Sequence, residues 1–121
     1  MTVNKERRKA IKDIVADLRI KAGAVDDLKG EIESLKNLLE EQKDAEQEYF
    51  DNMPESFQQG EKGQKADDAV TALEDADTSS QDLLDALDEA VTALTNEVID
   101  KLDDAITKMD DIESATDTAS E

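Results

Sequence analysis

The sequence predicts an all-α protein: a long antiparallel helical hairpin of the coiled-coil kind that associates into a four-helix bundle. Three observations carry this. Apolar residues recur at three- and four-residue steps through both halves of the chain, a single turn-rich segment separates the halves, and the two halves are of similar length.

In the first half Ile11, Ile14, Leu18, Val25, Leu28, Ile32, Leu35 and Leu39 form a heptad seam, with Lys21 as its one polar interruption. Gly23 and Gly30 each cost about 1 kcal/mol relative to Ala but leave the stripe intact. The first helix is expected over residues 5–49. The connector, residues 50–63, holds the only proline and two of the four glycines. Within it Asn52 is expected to cap a short turn in which Pro54 takes an early position and Glu55 completes a capping box.

The second helix is expected over residues 64–112. Its seam reads Ala66, Ala69, Leu73, Ala76, Ser80, then Leu84, Leu87, Val91, Leu94, Val98, then Leu102, Ala105, Met109, Ile112. The blocks repeat every 18 residues, which is 3.6 residues per turn and keeps the stripe on one face of a straight helix. Asp77-Thr78-Ser79-Ser80 is the weak point, where hydroxyls favour a cap and a kink or break. The single domain thus spans residues 1–112. Residues 113–121 carry no seam and are expected to form a disordered acidic tail.

At about 1.5 Å per residue the helices extend roughly 68 Å and 74 Å, so they pair end to end. Charge agrees with antiparallel pairing: residues 1–29 sum to +3 and residues 66–121 to −16, which sets the basic start beside the acidic end. One alanine-rich seam is a thin core for so many ordered residues, so self-association is expected.

Composition narrows the function. Of 121 residues 33 are acidic and 14 basic, for a net charge of −19 and a pI near 4.1. Low hydropathy with high charge favours disorder, but disordered tracts lack this periodicity. So negative a field repels nucleic-acid phosphate and anionic membranes, so direct binding to either is not expected. No apolar run approaches the ~18 residues of a membrane span, and the basic start has no apolar signal core. A soluble, cytoplasmic protein is expected.

Chemistry finds no foothold. The chain has no Cys and no His, which removes thiolate nucleophiles, imidazole bases and nearly every zinc site. None of the acidic residues lies on a predicted seam, where burial would raise its pKa for acid–base work. The stretch Gly60-Glu61-Lys62-Gly63 matches no phosphate-binding loop. An EF-hand loop counted from Asp75 needs Gly at its sixth position and Glu at its twelfth, where Ser80 and Ala86 stand. Neither enzyme activity, cofactor nor metal is expected.

Two surfaces remain as candidates for a protein partner with a basic surface. One is an acidic face, represented by Asp82, Asp85, Asp88, Asp100, Asp103, Asp104, Asp110 and Asp111. Aspartate dominates there although Glu is the better helix former, so helix propensity did not select it. Short carboxylates on a helix present fixed charge to a cationic groove, as a mimic of DNA or RNA would. Solubility or salt adaptation explains the same acidity without a partner. The other surface is an aromatic corner of Tyr49, Phe50 and Phe57, which either plugs the closed end of the hairpin or forms a docking patch.

The segment from Glu46 to Gln58, containing Tyr49-Phe50-Asp51-Asn52-Met53-Pro54-Glu55, with Gly60-Glu61-Lys62-Gly63 and Ala66 to Ala76 after it, resembles a type of small acidic helical protein encoded by bacteriophages and prophages. The likeness covers residues 30–76. It implies expression in an infected bacterial cytoplasm and a non-enzymatic role in binding and inhibiting a host protein, and it transfers no functional residue. The alternative is a coiled-coil scaffolding or assembly component.

Overall fold

The computed structural model is all-α and describes the backbone of residues 2–120 and the side chains of residues 4–112. Helices α1 (Thr2–Asp51), α2 (Glu55–Gln58), α3 (Glu61–Ala93) and α4 (Asp100–Ser120) follow in order, and a π-helical segment, Leu94–Ile99, joins α3 to α4. No strand occurs among the described residues, and none of their helices is long and apolar enough to cross a membrane. Helix α3 runs unbroken through Asp77–Ser80, the expected weak point: the Ser80 hydroxyl donates to the Ala76 carbonyl at 2.8 Å inside the helix instead of capping a new one. The backbone of α4 is helical to Ser120, beyond the predicted end at Ile112, while the side chains of the expected tail, residues 113–121, lie outside the described residues.

The chain divides into two compact units, each described by itself: residues 1–27 with 88–121, and residues 28–87. In the first unit the start of α1 runs opposite to α4. The Asn4 amide donates to the Met109 carbonyl at 3.2 Å, Arg8 pairs with Asp110, and Arg19 pairs with Asp103 at 2.8 Å. Between these contacts Val15, Ile99 and Ile106 form a buried cluster, with Ile11, Leu18, Leu94 and Leu102 packed around it.

The π segment sets the register of this core. The inward apolar residues Leu84, Leu87, Val91 and Leu94 step by three and four, and the next, Ile99, is five on, with Thr95 half-buried between them. A π turn absorbs the surplus residue. The periodicity puts Val98 on the seam; instead Ile99 is 1% exposed and Val98 43% exposed. The cause is a mismatch of repeats. An 18-residue pattern drifts against a seven-residue pattern on the facing helix, and the drift is discharged in one turn rather than spread along the helix. Past that turn Leu102, Ile106 and Met109 face inward, and Ile112, expected on the seam, stays exposed.

In the second unit Gly63, Ala66, Val70 and Leu84 are buried on α3. Facing them, α1 contributes Ile32 and Leu39, as predicted, together with Lys36. The Lys36 ammonium meets Glu40 at 2.9 Å and Asp77 at 3.3 Å, with its side chain only 15% exposed. Its aliphatic stem fills the seam while the two carboxylates take the charge. Asp77 therefore lies on the stripe that the periodicity reserves for apolar residues. The hydrogen bond to Glu40, followed by Asp77, holds the Lys36 ammonium above the ordinary lysine pKa despite partial desolvation.

The same shift of phase runs along α1 in both units. Ile11, Leu18, Val25, Ile32 and Leu39 turn inward as the sequence predicts, but Val15, Ala22, Lys29 and Lys36 fill the steps between them. Ile14, Leu28 and Leu35, predicted for those steps, are exposed. The apolar face of α1 is wider than one facing helix covers, and the residues on its far edge are left out.

Two outcomes test this register. Ile99→Ala lowers the unfolding free energy by about 2–5 kcal/mol and Val98→Ala by less than about 1 kcal/mol, measured by urea titration with helicity as the signal; the reverse order would restore the seam through Val98. Lys36 binds its proton more tightly folded than unfolded, so its contribution is complete below the unfolded pKa of about 10.4 and declines as pH rises through the higher folded value. Wild-type stability should therefore fall more steeply above about pH 10 than that of Lys36→Met.

Candidate functional site

The aromatic corner lies in the second unit and is built by backbone contacts. Helix α1 closes with the Asn52 amide donating to the Glu48 carbonyl and the Met53 amide to the Phe50 carbonyl. Pro54 is the N-cap of α2, with no side chain capping it, so the expected Asn52 cap and Glu55 capping box are absent. The amides of Phe57 and Gln58 bond instead to the Pro54 carbonyl, at 2.8 and 3.0 Å. Capping passes to Gln58, whose side-chain amide donates to the carbonyls of Phe50 at 3.0 Å and Met53 at 3.2 Å. The Phe50 carbonyl thus accepts from Gln58 as well as from the Met53 amide, where α1 has no further turn.

Gly63 brings the first turn of α3 against this cap. A Cβ at that position would stand 2.1 Å from the Gln58 carbonyl oxygen, so no side chain fits. The corner that results carries an open groove of about 360 Å³ lined by Tyr49, Asn52, Met53, Pro54, Phe57 and Lys62. Tyr49 is 56% and Phe57 53% exposed, which overturns the plug reading for both; Phe50 is half-buried and does not line the groove. The Lys62 ammonium sits 5.9 Å from the Phe57 ring centroid, within cation–π range. Lys62, Met53 and Asn52 were not legible as groove residues, because the short α2 that turns Phe57 toward Lys62 has no periodic signature.

The acidic face divides between the units. Asp82 and Asp85 are exposed on α3 in the second unit, Asp85 accepting from Gln81 at 3.0 Å. In the first unit Asp88, Asp100, Asp104 and Asp111 are exposed. The last three share the face of α4 that points away from Ile106, as their spacing of four and seven residues requires. Asp104 pairs along the helix with Lys108 at 3.0 Å. Asp103 and Asp110 belong elsewhere: both are half-buried and pair with Arg19 and Arg8. Beside the π segment, Asp88, Glu89, Thr92, Ala93, Asn96 and Glu97 line a second open groove of about 340 Å³. Among the described residues no group of carboxylates is arranged to hold a metal ion.

A third surface has no counterpart in the predicted sites. In each unit the inward stripe has two unlike flanks. On one side, Arg19 faces Asp103 in the first unit and Lys36 reaches Glu40 in the second. On the other side, the exposed large residues are Ile14, Val98 and Ile112 in the first unit and Leu28, Leu35 and Leu83 in the second. Each of these precedes an inward position by one residue, apart from Ile112, which continues the row of Val98 and Ala105. Charge respects the same division. From residue 61 to 112 the one carboxylate at this apolar flank or the row next to it is Glu97 in the π segment, which pairs with Lys101 at 3.7 Å, and all four lysines of that stretch, Lys62, Lys65, Lys101 and Lys108, lie there.

The corner yields a direct test. Gly63→Ala forces the backbone of Gln58 away and should destabilise the fold by more than about 1 kcal/mol. Gly30→Ala, where a methyl meets nothing within 4 Å, should stabilise it by up to about 1 kcal/mol. Thermal melts followed by circular dichroism read both; equal effects would mean that α3 does not seat against Gln58.

Comparisons with protein-family models, with curated proteins and with solved structures find no match to this chain.

Proposed function

We propose that this chain is a non-enzymatic binding protein of the bacteriophage type that engages a basic surface of a host protein in the bacterial cytoplasm. In this reading α1 folds back on α3 and α4 as an antiparallel coiled-coil hairpin, and the outward carboxylates occupy a cationic groove meant for a nucleic-acid backbone, blocking a host defence or nucleic-acid enzyme. The observation that carries it is the division of labour among the aspartates. Asp103 and Asp110 are engaged by Arg19 and Arg8, whereas Asp100, Asp104 and Asp111 point away from the core on one line of α4. A carboxylate serving only to balance α1 would face α1. The groove beside Tyr49 and Phe57 is a separate surface for shape selectivity.

A second reading, a scaffolding or assembly component with acidity serving solubility, draws on the apolar flank, which suits a four-helix bundle.

Affinity capture from bacterial lysate at low and high salt separates the readings. The wild-type chain should retain nucleic-acid-binding proteins at low salt and release them at high salt. A variant with Asp82, Asp85, Asp100, Asp104 and Asp111 all changed to Asn should retain none while keeping its helicity. Equal retention by wild type and variant would reject the proposal, and recovery of virion components would favour the scaffold.

A further inference from the structure

We infer that the apolar flank is the contact face for a second copy of this chain, with α1 of one copy against α3 and α4 of the other. The inference deepens the four-helix-bundle reading and rests on the antiparallel pairing inside each unit, not on the identity of any host target. Continuity is the first support. Leu35 and Leu28 precede the inward Lys36 and Lys29 by one residue, so the flank is the outer edge of the internal seam and not an isolated patch. A helix with so wide an apolar face needs two neighbours, and within its unit it has one.

Charge identifies the neighbour as another copy. A chain of net charge −19 meets its own copy against strong repulsion unless the approach is along a face poor in carboxylates. The flank of α3 and α4 is that face: its one carboxylate, Glu97, is paired with Lys101, and it gathers the lysines of this part of the chain. On α1 the row next to the flank carries Asp17 in the first unit and Glu31 in the second. Asp17 pairs with Lys21 along its own helix, as Lys65 does with Glu61 and Lys101 with Glu97, so these rows meet with little net charge.

Shape agrees. The flank of α1 bears large side chains, Ile14, Leu28 and Leu35, while that of α3 is mostly alanine, Ala69, Ala76 and Ala90. Large groups from one copy fit over small ones of the other, and the two-fold operation makes each contact twice.

The test uses the full chain in sedimentation equilibrium between about 5 and 200 μM, a range set by the micromolar affinity of modest interfaces. Wild type should sediment at twice the 13.3 kDa chain mass at the upper end. Leu35→Glu with Leu83→Glu should sediment as a single chain with wild-type helicity, because both side chains are already exposed in the isolated chain. Gln81→Glu, on the polar flank, should leave the mass unchanged. Because the chain has no native cysteine, Leu35→Cys adds a reporter, whose alkylation should slow at least tenfold from the dilute to the concentrated sample. A wild-type mass of 13.3 kDa throughout, unchanged mass in the double variant, or concentration-independent alkylation would each overturn the inference. Dimer loss with host-protein capture intact would leave the proposed function standing, and the reverse would leave the dimer.

Discussion

An α-helix offers a neighbouring helix one stripe, and the contact that organises this protein is the choice of stripe on α1. Two are available, sharing Ile11, Leu18, Val25, Ile32 and Leu39 and differing in whether Ile14, Leu28 and Leu35 or Val15, Lys29 and Lys36 fill the steps between. The second is taken. Its cost is a lysine drawn into the seam and leucines left in water, and the lysine is held because Glu40 and Asp77 neutralise it where it enters. The position of Asp77 and the unlike flanks follow from that selection. So does the pairing of Arg8, which continues the chosen stripe one heptad before Val15, with Asp110, and of Arg19, on its polar side, with Asp103.

Helical content and the turn-rich break were legible in the sequence because they depend on local chemistry, namely periodicity, proline and glycine. Phase was not. Ile14 and Val15 are both apolar, as are Val98 and Ile99, so a pattern of apolar letters cannot decide which of two neighbours is buried. That decision is made across the interface by volume and charge. Lys36 shows the limit well, since a polar letter reads as outward until its partner is known. The π turn is a further case: a five-residue step is invisible in a sequence where a regular repeat also finds an apolar residue at each position.

The candidate sites were legible to different depths. The aromatic corner was marked by its composition, but which rings face water depended on Gln58, a residue with no signal of its own, and on a glycine that admits the first turn of α3. The acidic face was visible as a count of aspartates. Its division into carboxylates that serve the fold and carboxylates that face outward required the register, which a count does not contain. The apolar flank is hidden for the same reason: the periodicity places Ile14, Leu28, Leu35, Val98 and Ile112 in the interior.

The π segment also decides between two phases of α4. With the surplus residue lodged between Leu94 and Ile99, the inward row is Ile99, Leu102, Ile106 and Met109. Were the bulge to travel toward the C-terminus, each residue it passed would swivel about 100° around the helix axis. Val98 and Ala105 would then take the places of Ile99 and Ile106, but Lys101 and Lys108 would take those of Leu102 and Met109, so the other phase puts two lysines in the core. The same slip would put Leu102 and Met109 where Asp103 and Asp110 meet Arg19 and Arg8, so the place of the surplus residue fixes these ion pairs along with the core.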